Sequence, residues 1–510
     1  MSIQVSCDSC FATFRVNDRY AGKTGRCPEC KERVTVPLAD DPDDPWEEEL
    51  PPMPAVPAPR SAAATRAPAR SNSKRTMLLI GGIAGGIVVV MLVIGGFGLY
   101  RAVRRARIAA KIAARHGRGA AGQLPGRLGG QASGPGSLVE GPAPTDEECR
   151  KFAGKVADAV RDKNRASFAA LINVDALLNR ATKGFESDRK ARQVRSGFIR
   201  GVKSSMATRR GVVGAIIQAV SNGGSYTFLR VRDVAAKKRV QFRIVTKEGA
   251  LNYHEMVVER RPSGNVQAVD MYIVATGQLL SQTLRDAFLP MVEHASRGIL
   301  ARLTGSESDF VKHISTMNKM VTSIKLGQHA EAVRLYGTLP PSMQKRKNVL
   351  MLRLTAAQKL GDTAYLTAIN DFRRYFPNDP AVDLLSIDGF IIQKQFAKAM
   401  ASIDRLDHAI GGDLYLNIFR SNIFVQQQQF SRARAVLQAA VDKDPTLKAA
   451  HIGMLMLSLQ LKDFDQTVKS LKMLREKCGT EIPNMALKPD FAGFVKSPQY
   501  KKWRATRPKT

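Results

Sequence analysis

Apolar residues recur along this chain with several periods, and each period predicts a different element. From Met77 to Tyr100 the chain carries no charge, and roughly 20 consecutive apolar residues match a bilayer-spanning helix. From Thr145 the period is helical. Thr145-Asp-Glu-Glu makes a capping-box start, and Phe152, Val156, Ala159 and Val160 share one face of a helix running through Lys163. More helical segments follow to Val220. Beyond Asn222-Gly-Gly-Ser the period falls to two, predicting strands over Tyr226–Val231, Arg239–Thr246, Leu251–Arg260 and Val266–Val274. Gly249 and Pro262-Ser-Gly264 lie between them as hairpin turns.

The last third repeats itself. Phe396, Phe430 and Phe464 are evenly spaced, as are Ile403, Leu437 and Leu471, and Gly327 and Gly361 each follow Lys-Leu at the same interval. Ala332, Ala399 and Ala433 hold the small position where two helices approach closely. A period of about 34 residues with this chemistry resembles the tetratricopeptide repeat, a helix–turn–helix unit. Five units are expected, over 312–340, 345–377, 380–411, 413–445 and 447–479, with Pro340, Pro377 and Pro445 closing second helices. The first helices depart from the family pattern by lacking its usual Trp and Gly. Stacked units need a cap, which 489–494 and Ser497–Arg504 of the tail 480–510 can supply. The resemblance implies a concave groove, lined by first helices, that binds extended peptides or protein surfaces. By repeat phase Asp388, Ile391, Asn422, Val425, Gln426, Met456 and Gln460 are expected to face it, with Asn422 placed to hydrogen-bond a ligand's backbone.

At the other end stand Cys7-x-x-Cys10 and Cys27-x-x-Cys30. Two such knuckles at this separation have the spacing of a four-thiolate Zn2+ site. A head of residues 1–37 is too small to bury a sufficient core, so the metal would carry its fold. Four thiolates leave no open coordination position, which argues against catalytic zinc. The head resembles a short bacterial zinc-ribbon family through Cys7, Cys10, Gly22-Lys23, Arg26-Cys27-Pro28, Cys30 and Val34-Thr35-Val36-Pro37. The resemblance implies zinc and a membrane-protein context, without an activity.

Residues 38–76 form a linker, with an acidic patch from Asp40 to Glu49 and a Pro/Ala run from Pro51 to Pro68. Net charge sharpens the picture. The chain of 510 residues carries +33, yet its first 76 residues are balanced, so all the excess follows Tyr100. A basic stretch, Arg101–Arg115, of helical period is suited to anionic headgroups, and a Gly/Pro linker completes 101–144. The basic excess favours acidic partners, but few aromatic residues accompany it, which counts against nucleic acid. Gly81, Gly82, Gly85 and Gly86 place small residues on one face of the apolar run, an arrangement that dimerises helices in membranes. The positive-inside rule, counted over flanking Lys and Arg, puts the C-terminal side in the cytoplasm. A thiolate head needs a reducing side, and that consideration leads to a ribbon in the cytoplasm and a periplasmic C-terminal region of a single-pass inner-membrane protein.

The expected fold is therefore multidomain: zinc ribbon, one transmembrane helix over 77–100, an α+β domain over 145–302, and an all-α repeat solenoid over 312–479. The order of elements in the α+β domain resembles the cone-shaped NTF2-like fold. Motifs for metalloprotease, serine hydrolase, phosphate-loop and dinucleotide chemistry are missing. His254 and Glu255 offer a base and its partner only if a cone pocket encloses them. The function these features predict is a non-catalytic membrane scaffold that recruits protein partners through the repeat groove. The alternative is a membrane-tethered regulator whose ribbon contacts nucleic acid or the transcription apparatus.

Overall fold

The computed structural model describes residues 2–6, 13–20, 23–28, 33–35 and 143–505, apart from 187–188, 207, 209–210, 248, 296–304, 483 and 486–487. The chain divides into two compact units, Met1–Arg70 and Ser71–Thr510. The first contains two antiparallel hairpins. Strands β1 (Ser2–Ser6) and β2 (Thr13–Asn17) pair from Ser2 opposite Asn17 to Ser6 opposite Thr13. Strands β3 (Thr24–Arg26) and β4 (Arg33–Thr35) pair around Gly25 and Val34.

The second unit opens on α1 (Asp146–Arg161), whose capping box forms as the sequence predicts. The Glu148 amide donates to Thr145 Oγ1 at 3.3 Å, and the Thr145 amide donates to Glu148 Oε2 at 2.7 Å. Phe152, Val156, Ala159 and Val160 are all buried. Helices α2 (Arg165–Ala170), α3 (Val174–Ala181), α4 (Arg189–Met206) and α5 (Val212–Ser221) follow. The chain then enters a five-stranded antiparallel meander of β5 (Ser225–Val234), β6 (Lys237–Val245), β7 (Leu251–Arg260), β8 (Val266–Ile273) and β9 (Gln278–Leu279), in that spatial order. The first two strands run further than their alternation suggests, because Ala235 and Ala236 make a two-residue turn with φ of +50° and +59°. Alanine has no local preference for that backbone, so the turn leaves no mark in the sequence.

Helix α6 (Leu280–Ala295) and α7 (Gly305–Lys312) lead into five helix hairpins. These are α8/α9 (Ile314–Lys325, His329–Gly337), α10/α11 (Lys347–Ala357, Asp362–Tyr375), α12/α13 (Pro380–Ile392, Phe396–Ile410), α14/α15 (Leu416–Gln426, Phe430–Lys443) and α16/α17 (Lys448–Gln460, Phe464–Glu476). The evenly spaced phenylalanines are the first residues of α13, α15 and α17. Within the hairpins one backbone position recurs. Gly327, Gly361, Lys394, Gln428 and Lys462 all have positive φ, between +55° and +109°. The residue after four of them donates its amide five positions back: Gln328 to Ser323, Gln395 to Phe390, Gln429 to Phe424 and Asp463 to Ser458, at 2.8–2.9 Å. That bond satisfies a carbonyl left over at the first helix's end. The tail closes the stack, with Phe491, Phe494 and Trp503 packed on Leu455, Leu471 and Leu474.

The membrane expectation is corrected. Among the described residues no helix is long and apolar enough to cross a membrane. The longest, α4, has 18 residues, and Arg189, Lys190, Arg192, Arg195, Arg200 and Lys203 are among them. The single-pass topology and inner-membrane location expected from the sequence are thus unsupported, and the Met77–Tyr100 run lies outside the described residues. The glycine pairs within that run and the basic stretch Arg101–Arg115 lie outside them too. The sheet has helices on both faces.

The recurrent left-handed turn yields a prediction. A non-glycine residue pays roughly 1–2 kcal/mol for that backbone, partly offset by glycine's greater chain entropy. Lys394→Gly, Gln428→Gly and Lys462→Gly are each expected to raise stability by about 0.5–1 kcal/mol, and Gly361→Ala to lower it. Urea midpoints check this; three unchanged or lowered midpoints would contradict the assigned turns.

Candidate interaction surface

Alternation along β6 and β7 sends two different sets of side chains to the two faces of the sheet. Val240, Phe242, Ile244, Met256 and Val258 join the core formed with α1–α6. The opposite face carries Arg239, Gln241, Arg243, Tyr253 and Glu255, and all of these but half-buried Arg239 are buried too. Its apolar members Val245, Leu251 and Tyr253 cluster with Leu384, Ile387, Phe390 and Ile391 of α12 and with Leu416, Phe419 and Ile423 of α14.

Charged groups meet their partners across this interface. Arg243 Nη1 lies 2.6 Å from Asp413 Oδ1, with only 8% and 2% of the two side chains exposed. Asp413 also accepts from Tyr253 Oη at 3.0 Å and from the Tyr415 amide at 3.0 Å, and the Arg243 guanidinium sits 4.9 Å from the Tyr415 ring centre. Burial and the Asp413 carboxylate push the Tyr253 hydroxyl pKa far up. On β5, Arg232 Nη2 donates to Ala409 O at 2.7 Å and Arg230 donates to Gly412 O. These two cations therefore sit at the carbonyl end of α13, where the helix dipole favours positive charge. Glu255 accepts from Arg232 at 2.6 Å, Arg239 at 2.9 Å and Gln241 at 3.2 Å.

His254 and Glu255 consequently do not form a base and its partner, since neighbouring strand residues point to opposite faces. His254 is buried between Tyr226 Oη and Asn252 Nδ2, each 3.4 Å away, and burial lowers its pKa to about 4. A shallow cavity of about 240 Å³ elsewhere is lined by Asn173, Asp175, Lys203 and Arg261, where Lys203 already pairs with Asp175 at 2.6 Å.

The expected groove residues divide along the stack. On α12, Ile391 is buried at 5% exposure inside the interface with the sheet, and Asp388 is half-buried. On α14, Asn422 and Val425 are half-buried and Gln426 is exposed. On α16, Met456 is 42% exposed and Gln460 is exposed. Sequence reasoning missed Ile452, 41% exposed one helical turn before Met456. It also missed that Leu384, Ile418 and Ile452 form a series in the same phase, passing from buried through half-buried to exposed. The sheet covers this face at α12 and leaves it open at α16.

The expected zinc centre falls largely outside the described residues. Among the described residues there is no group of three or more His, Cys, Asp or Glu that could hold a metal. Of the four thiols only Cys27 is described, and it is buried; Cys7, Cys10 and Cys30 lie outside the described residues. No family model matches this chain, and it matches neither a curated protein nor a solved structure.

Asp388 provides a test of the covered end. Burial raises its pKa to about 7, and its charge in turn helps raise that of Tyr365. Folded protein therefore holds a proton that the unfolded chain releases near 3.8. From this group stability falls as pH rises from about 4 to about 7. Asp388→Asn is expected to remove that slope and to exceed the wild type in stability at pH 8. Urea midpoints at pH 5 and pH 8 measure it, and equal slopes in the two proteins would refute the assignment.

Proposed function

We propose that this chain is a non-catalytic interaction protein that recruits a protein partner through the open face of its last two helix hairpins. The observation that carries the reading is the exposure of Ile452 and Met456 on a stack whose end is already capped. Terminal hairpins often expose apolar residues because nothing follows them, but here Phe494 and Trp503 seal that end. Ile452 and Met456 lie on α16 outside that seal. A polar rim surrounds them. Asn422, Gln426 and Gln460 make no side-chain hydrogen bond among the described residues, so their amides are available to a polypeptide backbone. An apolar centre with a polar rim is the common composition of protein-binding surfaces.

Each apolar side chain fully buried contributes about 1.5–3 kcal/mol, which corresponds to roughly 10- to 100-fold in affinity. Ile452→Glu and Met456→Glu are therefore expected to weaken partner capture by at least about tenfold while leaving the melting temperature unchanged. The measurement is quantitative cross-linking and pull-down with wild type and both variants side by side. Partners retained equally by all three proteins would refute this surface.

A further inference from the structure

The sheet and the helix stack run alongside each other, and the sheet stops first. At the β9 end, Lys347 on α10 donates to Gly277 O at 2.9 Å. At the β5 end, Arg230 and Arg232 reach the turn from Ala409 to Gly412, between α13 and α14. The first helix of the hairpin after α14 and α15, α16, bears Ile452 and Met456.

Strand β5 is an edge strand that pairs only with β6 among the described residues. The Ala235–Ala236 turn makes Val234 and Lys237 the closing hydrogen-bonded pair of the hairpin. Hydrogen-bonded and non-hydrogen-bonded positions alternate from there. The amides of Arg232 and Val234 accordingly face β6, and those of Val231 and Asp233 face away from it. Asp233 is exposed. Beside this edge, Arg230 Nε is buried without a hydrogen-bond partner. The regular stretch of this edge, Arg230 to Val234 beyond the bulge at Leu229, has outward amides and is a template for another strand.

We propose that the partner docks as an extended strand added to the free edge of β5, with alternate apolar side chains resting on Ile452 and Met456 of α16. This rests on the reading given under Proposed function and specifies its ligand: an extended peptide with apolar residues at every second position, carrying an acidic or amide group opposite Arg230. The added strand continues the interface that the chain's own sheet already makes with α12 and α14. Main-chain bonds to β5 hold the peptide, and its alternate side chains supply selectivity.

The test is selection of a phage-displayed random nonapeptide library on the full chain, followed by binding of the enriched peptides to variants. Asp233→Ala keeps the outward amide and Asp233→Pro removes it. The expected result is a period-two apolar pattern, binding retained by Asp233→Ala, and at least a tenfold loss in both Asp233→Pro and Met456→Glu. Amide exchange at Val231 and Asp233 in the wild type should slow at least tenfold with peptide, a readout that does not depend on the proline variant folding. Peptides that lose binding to Met456→Glu but not to Asp233→Pro, and leave those two amides unprotected, would overturn strand addition and leave the binding face intact. Peptides indifferent to both variants would overturn both readings. Protection of Val231 and Asp233 that rises with protein concentration in the absence of peptide would mean that a second copy takes the edge, and would also overturn the proposal.

Discussion

The architecture of the large unit depends on one buried ion pair, Arg243 with Asp413. The two residues are 170 positions apart, and their contact fixes which part of the sheet meets which hairpin of the stack. Removing two charges from water is expensive, and a buried pair often contributes little net stability compared with an apolar replacement. Its value is in registration. Arg243 is held by the Asp413 carboxylate and by the Tyr415 ring. Asp413 has its own set of donors in Arg243, Tyr253 and the Tyr415 amide. Sliding the sheet by one residue would leave both charges buried and unpaired, at a cost of roughly 3–5 kcal/mol.

Around this pair the sheet becomes a two-sided element. One face is an ordinary apolar core with α1–α6. The other is a layer of arginines and tyrosines whose charges are matched by helix-end carbonyls and carboxylates. Arg230 and Arg232 satisfy carbonyls at the end of α13, where a helix leaves groups that need donors. The chain therefore covers part of its own repeat stack, and the uncovered remainder is the surface assigned to a partner.

Local elements were readable in the sequence because their causes are local. The capping box at Thr145, the four long strands and the helix-pair repeat marked by Phe396, Phe430 and Phe464 follow from spacing alone. What could not be read was which surfaces meet. Apolar and polar residues alternate in β6, and that pattern normally marks a strand with one face in water. Here the polar face is buried, because Asp413 and Glu255 supply its partners from distant positions. Ile391 disappears into that interface for the same reason, although repeat phase places it in line with half-buried Val425. The Ala235–Ala236 turn was invisible because it lacks the Asn-Gly or Gly-Gly signature. Ile452 was within reach, since extending the series Leu384 and Ile418 by one more repeat arrives at it.

The central claim is that sheet and stack form one cooperative body joined at Asp413. The most direct measurement is native-state hydrogen exchange of the wild type and of Asp413→Ala, following amides of β6 and β7 together with those of α12 and α14. Loss of the same increment of protection in both groups is the predicted result. Weakening confined to one group, with the other keeping its full protection, would show that the two halves are independent and would contradict the account.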